Sequence, residues 1–172
     1  MLSAALVTPL SGPLGGFGRA GAAALSVWAG WPGGGFPAGT ELTVFDAHPD
    51  PVPALRRAER LAPDLLFGPY GSSTTAAVAG ATSRLVWNHG GARVPAAGNL
   101  VSVLAPADTY FRGAVRAVRE ADPELRTLRV LSSDTGFSRA VAAGAVDEAG
   151  RLGFGRPRGR CPPPRGRRRP PA

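Results

Sequence analysis

A chain of 172 residues, 44% of them apolar, has room for one ordinary domain or one and a fragment, with a buried core. Composition therefore excludes a chain disordered throughout. The formal charge of +8 arises from 20 basic residues, all arginine, against 12 acidic ones. Up to residue 150 twelve arginines meet twelve acids, and the excess is the eight arginines from Arg151 onward. The body is neutral and carries no nucleic-acid footprint. A single cysteine, Cys161, permits no disulfide framework and no cysteine metal site within one chain. No basic-then-apolar leader opens the sequence and no stretch is long enough to span a bilayer, so membrane insertion and a visible export signal are both unexpected.

In chain order, Ser3 to Thr8 is an apolar run bounded by Pro9 and reads as a buried strand. Pro9 to Gly18 reads as a Gly/Pro loop, and Arg19 to Gly30 as a helix packing Ala20, Ala23, Ala24, Val27 and Trp28 on the sheet. Trp31 to Pro37 breaks it, and Glu41 to Asp46 alternates as a second strand. Asp50-Pro51 is a helix start, an N-cap acid with proline in the first turn, followed by the stripe Ala54, Leu55, Ala58, Leu61. Leu65-Leu66-Phe67 is a third strand, Thr74 to Ser83 a helix, Leu85-Val86-Trp87 a fourth strand and Leu100 to Leu104 a fifth. Tyr110 to Ala121 reads as a helix with Phe111, Ala114, Val115 and Val118 inward. Leu125 to Leu131 reads as a strand and Ser138 to Leu152 as a last helix. Strands alternating with helices predict an α/β fold, a parallel sheet with helices on both faces and right-handed crossovers. Ligands then sit beyond the carboxyl ends of the strands. The turns after residues 8, 67, 87 and 131 fall at that edge. From residue 155 to 172 the chain is Arg/Pro-rich without apolar periodicity and reads as a disordered tail.

The stretch from Leu65 to Val78 stands out: a short strand, a Gly/Pro turn, then Ser72, Ser73, Thr74 and Thr75 opening a helix. Hydroxyls and free amides at a helix start suit a carboxylate or another small polar group. Gly16-Phe17-Gly18-Arg19-Ala20-Gly21 matches G-x-G-x-x-G, with Asp46 as the would-be ribose acid. The dinucleotide fingerprint places its first glycine directly after the strand and its acid about twenty residues on, and both spacings are too long here. His48-Pro49-Asp50 spells a co-chaperone tripeptide that belongs between helices, and with Asp46 it falls one ligand short of a metal site, so no metal is expected. Ser72, Ser73, His89 and Asp134 invite a hydrolase triad, but no G-x-S-x-G elbow surrounds either serine. Phe17, Tyr70 and Phe137 are apolar residues on loops at the ligand edge.

Ser11-Gly12-Pro13-Leu14-Gly15-Gly16-Phe17-Gly18, Asp46 with Asp50-Pro51, Phe67-Gly68-Pro69-Tyr70-Gly71-Ser72-Ser73-Thr74-Thr75 and Asn88-His89-Gly90-Gly91-Ala92 together resemble type I periplasmic-binding proteins. The nearest branch is the leucine/isoleucine/valine-binding type, the substrate-binding subunits of ABC importers. The resemblance runs from about residue 4 to 154. It implies a two-lobed protein that closes on its ligand by hinge motion. By the same resemblance, Ser72 with the backbone around Gly91 and Ala92 would hold an amino acid's carboxylate and ammonium, with Phe17 covering the site and Phe137 approaching from the second lobe. Phe137 stands where a tyrosine is usual, and Asn88-His89-Gly90-Gly91 replaces a more usual Ala/Thr-rich turn.

Members of that family are roughly twice as long. Expected here are a first lobe over 1–112, a partial second lobe over 113–154 and the tail over 155–172, the product of a truncated or frameshifted gene that binds weakly or not at all. The expected activity is non-catalytic recognition of a small polar solute such as an amino acid or amide. The site would comprise Phe17, Tyr70, Ser72, Ser73, Gly91, Ala92 and Phe137, without cofactor and with an ABC transporter membrane subunit as partner. Location would be extracytoplasmic by resemblance, or cytoplasmic for want of a signal. Alternatives from other classes are a nucleotide-dependent doubly wound enzyme and an Arg-tailed interaction protein.

Overall fold

The computed structural model describes residues 2–31, 39–94 and 97–155. The expected tail beyond Gly155, with Cys161, and the break over 32–37 lie outside the described residues. Five parallel strands form one sheet in the order β2-β1-β3-β4-β5: β1 Ser3–Thr8, β2 Glu41–Asp46, β3 Leu65–Phe67, β4 Val86–Asn88 and β5 Leu100–Ser102. Between them run α1 (Gly15–Gly30), α2 (Pro51–Arg60) and α3 (Ser72–Ala81). The expected α/β fold is the observed one.

Strand β1 occupies the middle of the sheet because it is apolar on both faces, and Ala4 to Thr8 are all buried. Alternation along the strands divides the core. Ala5, Val7, Leu66 and Val86 pack with Ala54, Leu55 and Ala58 of α2 and Val78 of α3. Phe67 turns the other way and meets Trp28 of α1 edge to face at 6.0 Å. Leu55 is fully buried at the centre of the first group, a burial that stabilises by about 1.5–3 kcal/mol. Asp50 caps α2 by accepting the Val52 amide at 3.0 Å, as its sequence predicts.

Helix α1 departs from expectation. It begins at Gly15, so residues assigned to a loop are its first turn, and Ala20, Ala23, Ala24 and Val27 face solvent. Gly15 and Gly18 are its buried residues, because contact is set by backbone approach rather than by side-chain hydrophobicity. A methyl on Gly18 would overlap the Pro9 carbonyl. Leu61, at the end of the predicted α2 stripe, is exposed too.

Beyond β5 the chain passes through a 3-10 turn (Ala107–Thr109) into α4 (Arg112–Ala121) and α5 (Gly136–Arg151). Of the four residues expected inward on α4, only Val115 is buried; Phe111, Ala114 and Val118 are exposed. Val115 joins Ala145, Ala149 and Phe154 in a second, smaller core. The Arg119 guanidinium lies 3.8 Å over the Phe154 ring. Buried Glu148 accepts from Arg116 at 2.6 Å, which lowers its pKa. The predicted strand Leu125 to Leu131 does not form: its one bridge is Thr127 to Gly155. A strand exists only through a neighbour's hydrogen bonds, and among the described residues no other segment lies alongside it. Leu125, Leu128 and Val130 still pack on the second core, while Leu131 is exposed.

Candidate functional site

The strand order places the reversal between β1 and β3: the chain leaves β1 toward β2 on one side, then crosses back to β3 on the other. The loops after β1 and β3 therefore splay apart and leave a crevice at the carboxyl edge. Tyr70 follows β3, and its amide lies 3.4 Å from the Thr8 hydroxyl at the end of β1. The Phe17 ring, on the first turn of α1, stacks on the Tyr70 ring with centroids 4.8 Å apart and planes 5° from parallel. Phe17 remains 56% exposed, so this pair forms an apolar rim rather than part of the core.

The turn into α3 needs glycine at position 71, where φ is +105°. Its amide donates to the Gly90 carbonyl at 3.0 Å and ties the turn after β3 to the turn after β4. Two of the four hydroxyls expected to face the crevice do not. Thr74 donates back to the Tyr70 and Gly71 carbonyls, and buried Thr75 to those of Pro69 and Gly71. Threonines within the first turns of a helix find local carbonyls more readily than a ligand. Ser72 and Ser73 remain. Ser72 Oγ accepts the Arg93 amide at 3.0 Å and keeps its own proton available, and Ser73 is exposed.

Gly91 is buried beside Thr75, and a Cβ there would sit 2.6 Å from Thr75 Oγ1. Asn88, fully buried, fixes the turn: Oδ1 accepts the amides of Gly90 at 3.2 Å and Gly91 at 2.7 Å, and Nδ2 donates to the Gly91 carbonyl at 2.7 Å and to Ser102 Oγ at 2.8 Å. Sequence reasoning placed Asn88 in the turn after the fourth strand and gave its side chain no role; an amide ahead of two glycines was the available signal. The Ala92 carbonyl accepts the Ala107 amide at 2.9 Å, joining this loop to the 3-10 turn.

Phe17, Tyr70, Ser72, Gly91 and Ala92 thus gather at linked turns. Phe137 starts α5 and makes its ring contact with Tyr110, edge to face at 5.7 Å. Both rings line a hollow of ≈ 290 Å³ with Val130, Leu131 and Val141. Two of the acids weighed for other chemistries have structural partners. Asp46 accepts from the Leu10 and His48 amides and the Ser11 hydroxyl, and these bonds, the His48 one foremost, hold its pKa at about 2. Asp134 pairs with Arg139. His89 is half-buried, its ring nitrogens shielded from solvent with Nε2 facing Gly21 of α1, and desolvation lowers its pKa. Gly18, central to the G-x-G-x-x-G match, is used for helix packing. Among the described residues no group of three metal-ligating side chains occurs, and no helix is long and apolar enough to cross a membrane.

No family model matches the sequence, and no curated protein matches it. Solved structures do. A solute-binding protein of an ABC transporter from R. palustris, in complex with 4-hydroxybenzoate, superposes with a TM-score of 0.71 at 15% identity, over 89% of this chain and 44% of that one. An ABC transporter substrate-binding protein from Sphaerobacter thermophilus gives 0.73 at 19% identity, over 90% and 46%. A leucine-binding protein from Thermotoga maritima gives 0.71 at 13%, over 91% and 48%. The fold is therefore that of type I periplasmic-binding proteins, and the chain spans about half the length of the structures it matches.

Proposed function

We propose that this chain supplies the ligand-receiving part of a solute-binding protein serving an ABC-type importer outside the membrane. On this reading residues 1–112 are its first lobe and 113–154 the opening of its second. The role is non-catalytic: capture of a small polar solute of amino-acid or amide size between Phe17, Tyr70, Ser72, Ser73, Gly91 and Ala92, with Phe137 approaching from the second lobe. The observation that carries it is the stacked Phe17–Tyr70 rim beside the Ser72–Arg93 link, both at the carboxyl edge where the strand order reverses. Asp46 and Asp134, two of the acids weighed for other chemistries, are engaged in structural bonds, which favours recognition over reaction. Structures of the same fold that hold 4-hydroxybenzoate, or are named for leucine, support a small-molecule ligand.

A titration of the isotopically labelled 172-residue chain, followed by amide NMR shifts, tests this. Amino acids, amides and aromatic acids are added in turn. One lobe supplies only part of the burial a closed cleft would give, so affinities of about a millimolar are expected. Shifts centred on Phe17, Tyr70, Ser72 and Ala92 are the expected result. A ligand set that moves none of these amides rejects the reading.

A further inference from the structure

We propose that His89 is a pH-sensitive latch for the Phe17–Tyr70 rim: its neutral ring holds the two aromatic rings together, and a proton on it parts them and releases the solute. The release of solute rests on the solute-binding reading; the coupling of His89 to the two rings does not.

The rings of the rim hang from two different elements, and His89 is joined to both. Phe17 and Gly21 lie one turn apart on one face of α1. The His89 Nε2 sits 3.1 Å from the position a Cβ would take on Gly21, so the imidazole fills the space left by the missing side chain. On the other side Gly90, the next residue in the chain, forms a parallel bridge with Tyr70. A Cβ on Gly90 would lie 2.6 Å from Tyr70 Cα and 2.7 Å from Tyr70 Cδ2. The Gly71 amide donates to the Gly90 carbonyl at 3.0 Å and completes the link. A shift of the His89 turn therefore carries Tyr70 with it, and a shift of α1 carries Phe17. The stack of one ring on the other, with Phe17 largely exposed, has little else to preserve it.

A proton on His89 is what moves these elements apart. Both ring nitrogens are shielded from solvent and neither makes a well-formed hydrogen bond. An imidazolium has two N–H donors to satisfy and a full charge to solvate, and the slot against α1 provides for neither. The charged and titratable groups on the elements packed around the ring are Arg19 of α1, the Tyr70 phenol on the turn after β3 and Arg93 on its own loop. None is an acid, and Arg19 already donates to the Leu10 carbonyl. Burial accordingly disfavours the charged ring, with the Gly68 backbone only partly opposing it. The proton binds the opened slot better than the closed one, so acid shifts the population toward a parted rim. The coupling is reciprocal: a solute that holds the rim closed makes His89 harder to protonate.

The experiment follows the ring protons of His89, Phe17 and Tyr70 by NMR on the labelled 172-residue chain from pH 7.5 to 4, with circular dichroism in parallel. The Phe17 and Tyr70 signals should change with the His89 midpoint, below 6.5, while the dichroism stays that of the folded chain. The affinity probes are L-leucine and benzamide, whose charges do not change over this range. One pH unit below the His89 midpoint they should bind about tenfold more weakly than at pH 7.5, because about a tenth of the chains keep the neutral ring. His89→Gln should hold ring signals and affinity level across the range, whereas His48→Gln, at an exposed histidine, should behave as the parent does. Rings that titrate with a midpoint other than that of His89, or that change only as the fold melts, refute the latch in the parent chain itself. A probe that binds at pH 7.5 and keeps its affinity through the His89 midpoint also refutes it, and solute binding then stands. If no amino acid, amide or aromatic acid binds while the rings still follow His89, the solute reading falls and the coupling stands.

Discussion

The carboxamide of Asn88 grips the backbone of Gly91 from both directions, accepting its amide and donating to its carbonyl, each at 2.7 Å. One buried side chain therefore sets the position of the loop that carries Ala92 and Arg93. Two further bonds, from the Gly90 amide and to Ser102, complete its capacity.

Replacing Asn88 by alanine leaves buried amides and a carbonyl without partners. The expected loss is about 2–4 kcal/mol of stability, because unsatisfied buried groups cost more than the bonds themselves contribute. Denaturant unfolding measures it. An Asn88→Ala chain as stable as the parent would show that the turn holds itself.

Two glycines act as contact points between elements. A methyl at Gly18 would overlap the Pro9 carbonyl, and one at Gly144 the Asp108 carbonyl, whereas Gly16, also helical, has nothing within 4 Å. Gly18→Ala and Gly144→Ala should each destabilise by about 1–3 kcal/mol through forced backbone displacement. Gly16→Ala should stabilise by about 0.5–1 kcal/mol, since alanine loses less freedom in a helix. Three thermal melts decide it, and equal shifts in all three would refute the packing account.

These glycines also show how far the sequence could be read. Strand β1 and the start of α2 were legible, because continuous hydrophobicity and an Asp-Pro cap are local signals. The face of α1 was not, since Ala20, Ala23 and Ala24 look inward by composition while Gly18 makes the contact. Leu125 to Leu131 has a strand's composition, but a ladder depends on a partner elsewhere in space. At the site, Tyr70 and Ser72 were visible from the turn chemistry around Gly71. The role of Asn88 was not, for the backbone groups that a buried carboxamide meets are fixed by tertiary contacts alone.

His89 is expected to make the fold sensitive to mild acid. Both ring nitrogens are buried without a well-formed hydrogen bond among the described residues. Burial lowers its pKa below 6.5, with the Gly68 backbone only partly opposing this. The unfolded chain then takes up its proton first as pH falls. Stability should be fully present above the unfolded value of about 6.5 and decline below it, levelling once the folded chain is protonated too. His89→Leu, which cannot titrate, should abolish this slope. Unfolding curves at pH 7.5 and 5.5, where parent and variant would lose stability in parallel if His89 were uninvolved, make the check.

Asp46 governs a lower window by the same linkage. Its carboxylate ties the loop after β1 to the end of β2 through the Leu10 and His48 amides and the Ser11 hydroxyl, and its pKa falls from 3.8 to about 2. A depressed folded pKa means that the contribution is complete above the unfolded value and is lost as pH falls from about 4 through about 2. Asp46→Asn preserves one acceptor oxygen and removes the charge, so stability at neutral pH should drop while the decline across that window becomes shallower. The loop it anchors leads into the helix turn bearing Phe17. Loosening it should therefore weaken the Phe17–Tyr70 stack and reduce solute affinity alongside stability. Acid titrations followed by circular dichroism, with ring-proton shifts of Phe17 and Tyr70 recorded in parallel, test both consequences. A variant whose acid limb matches the parent's would place the stabilising charge elsewhere.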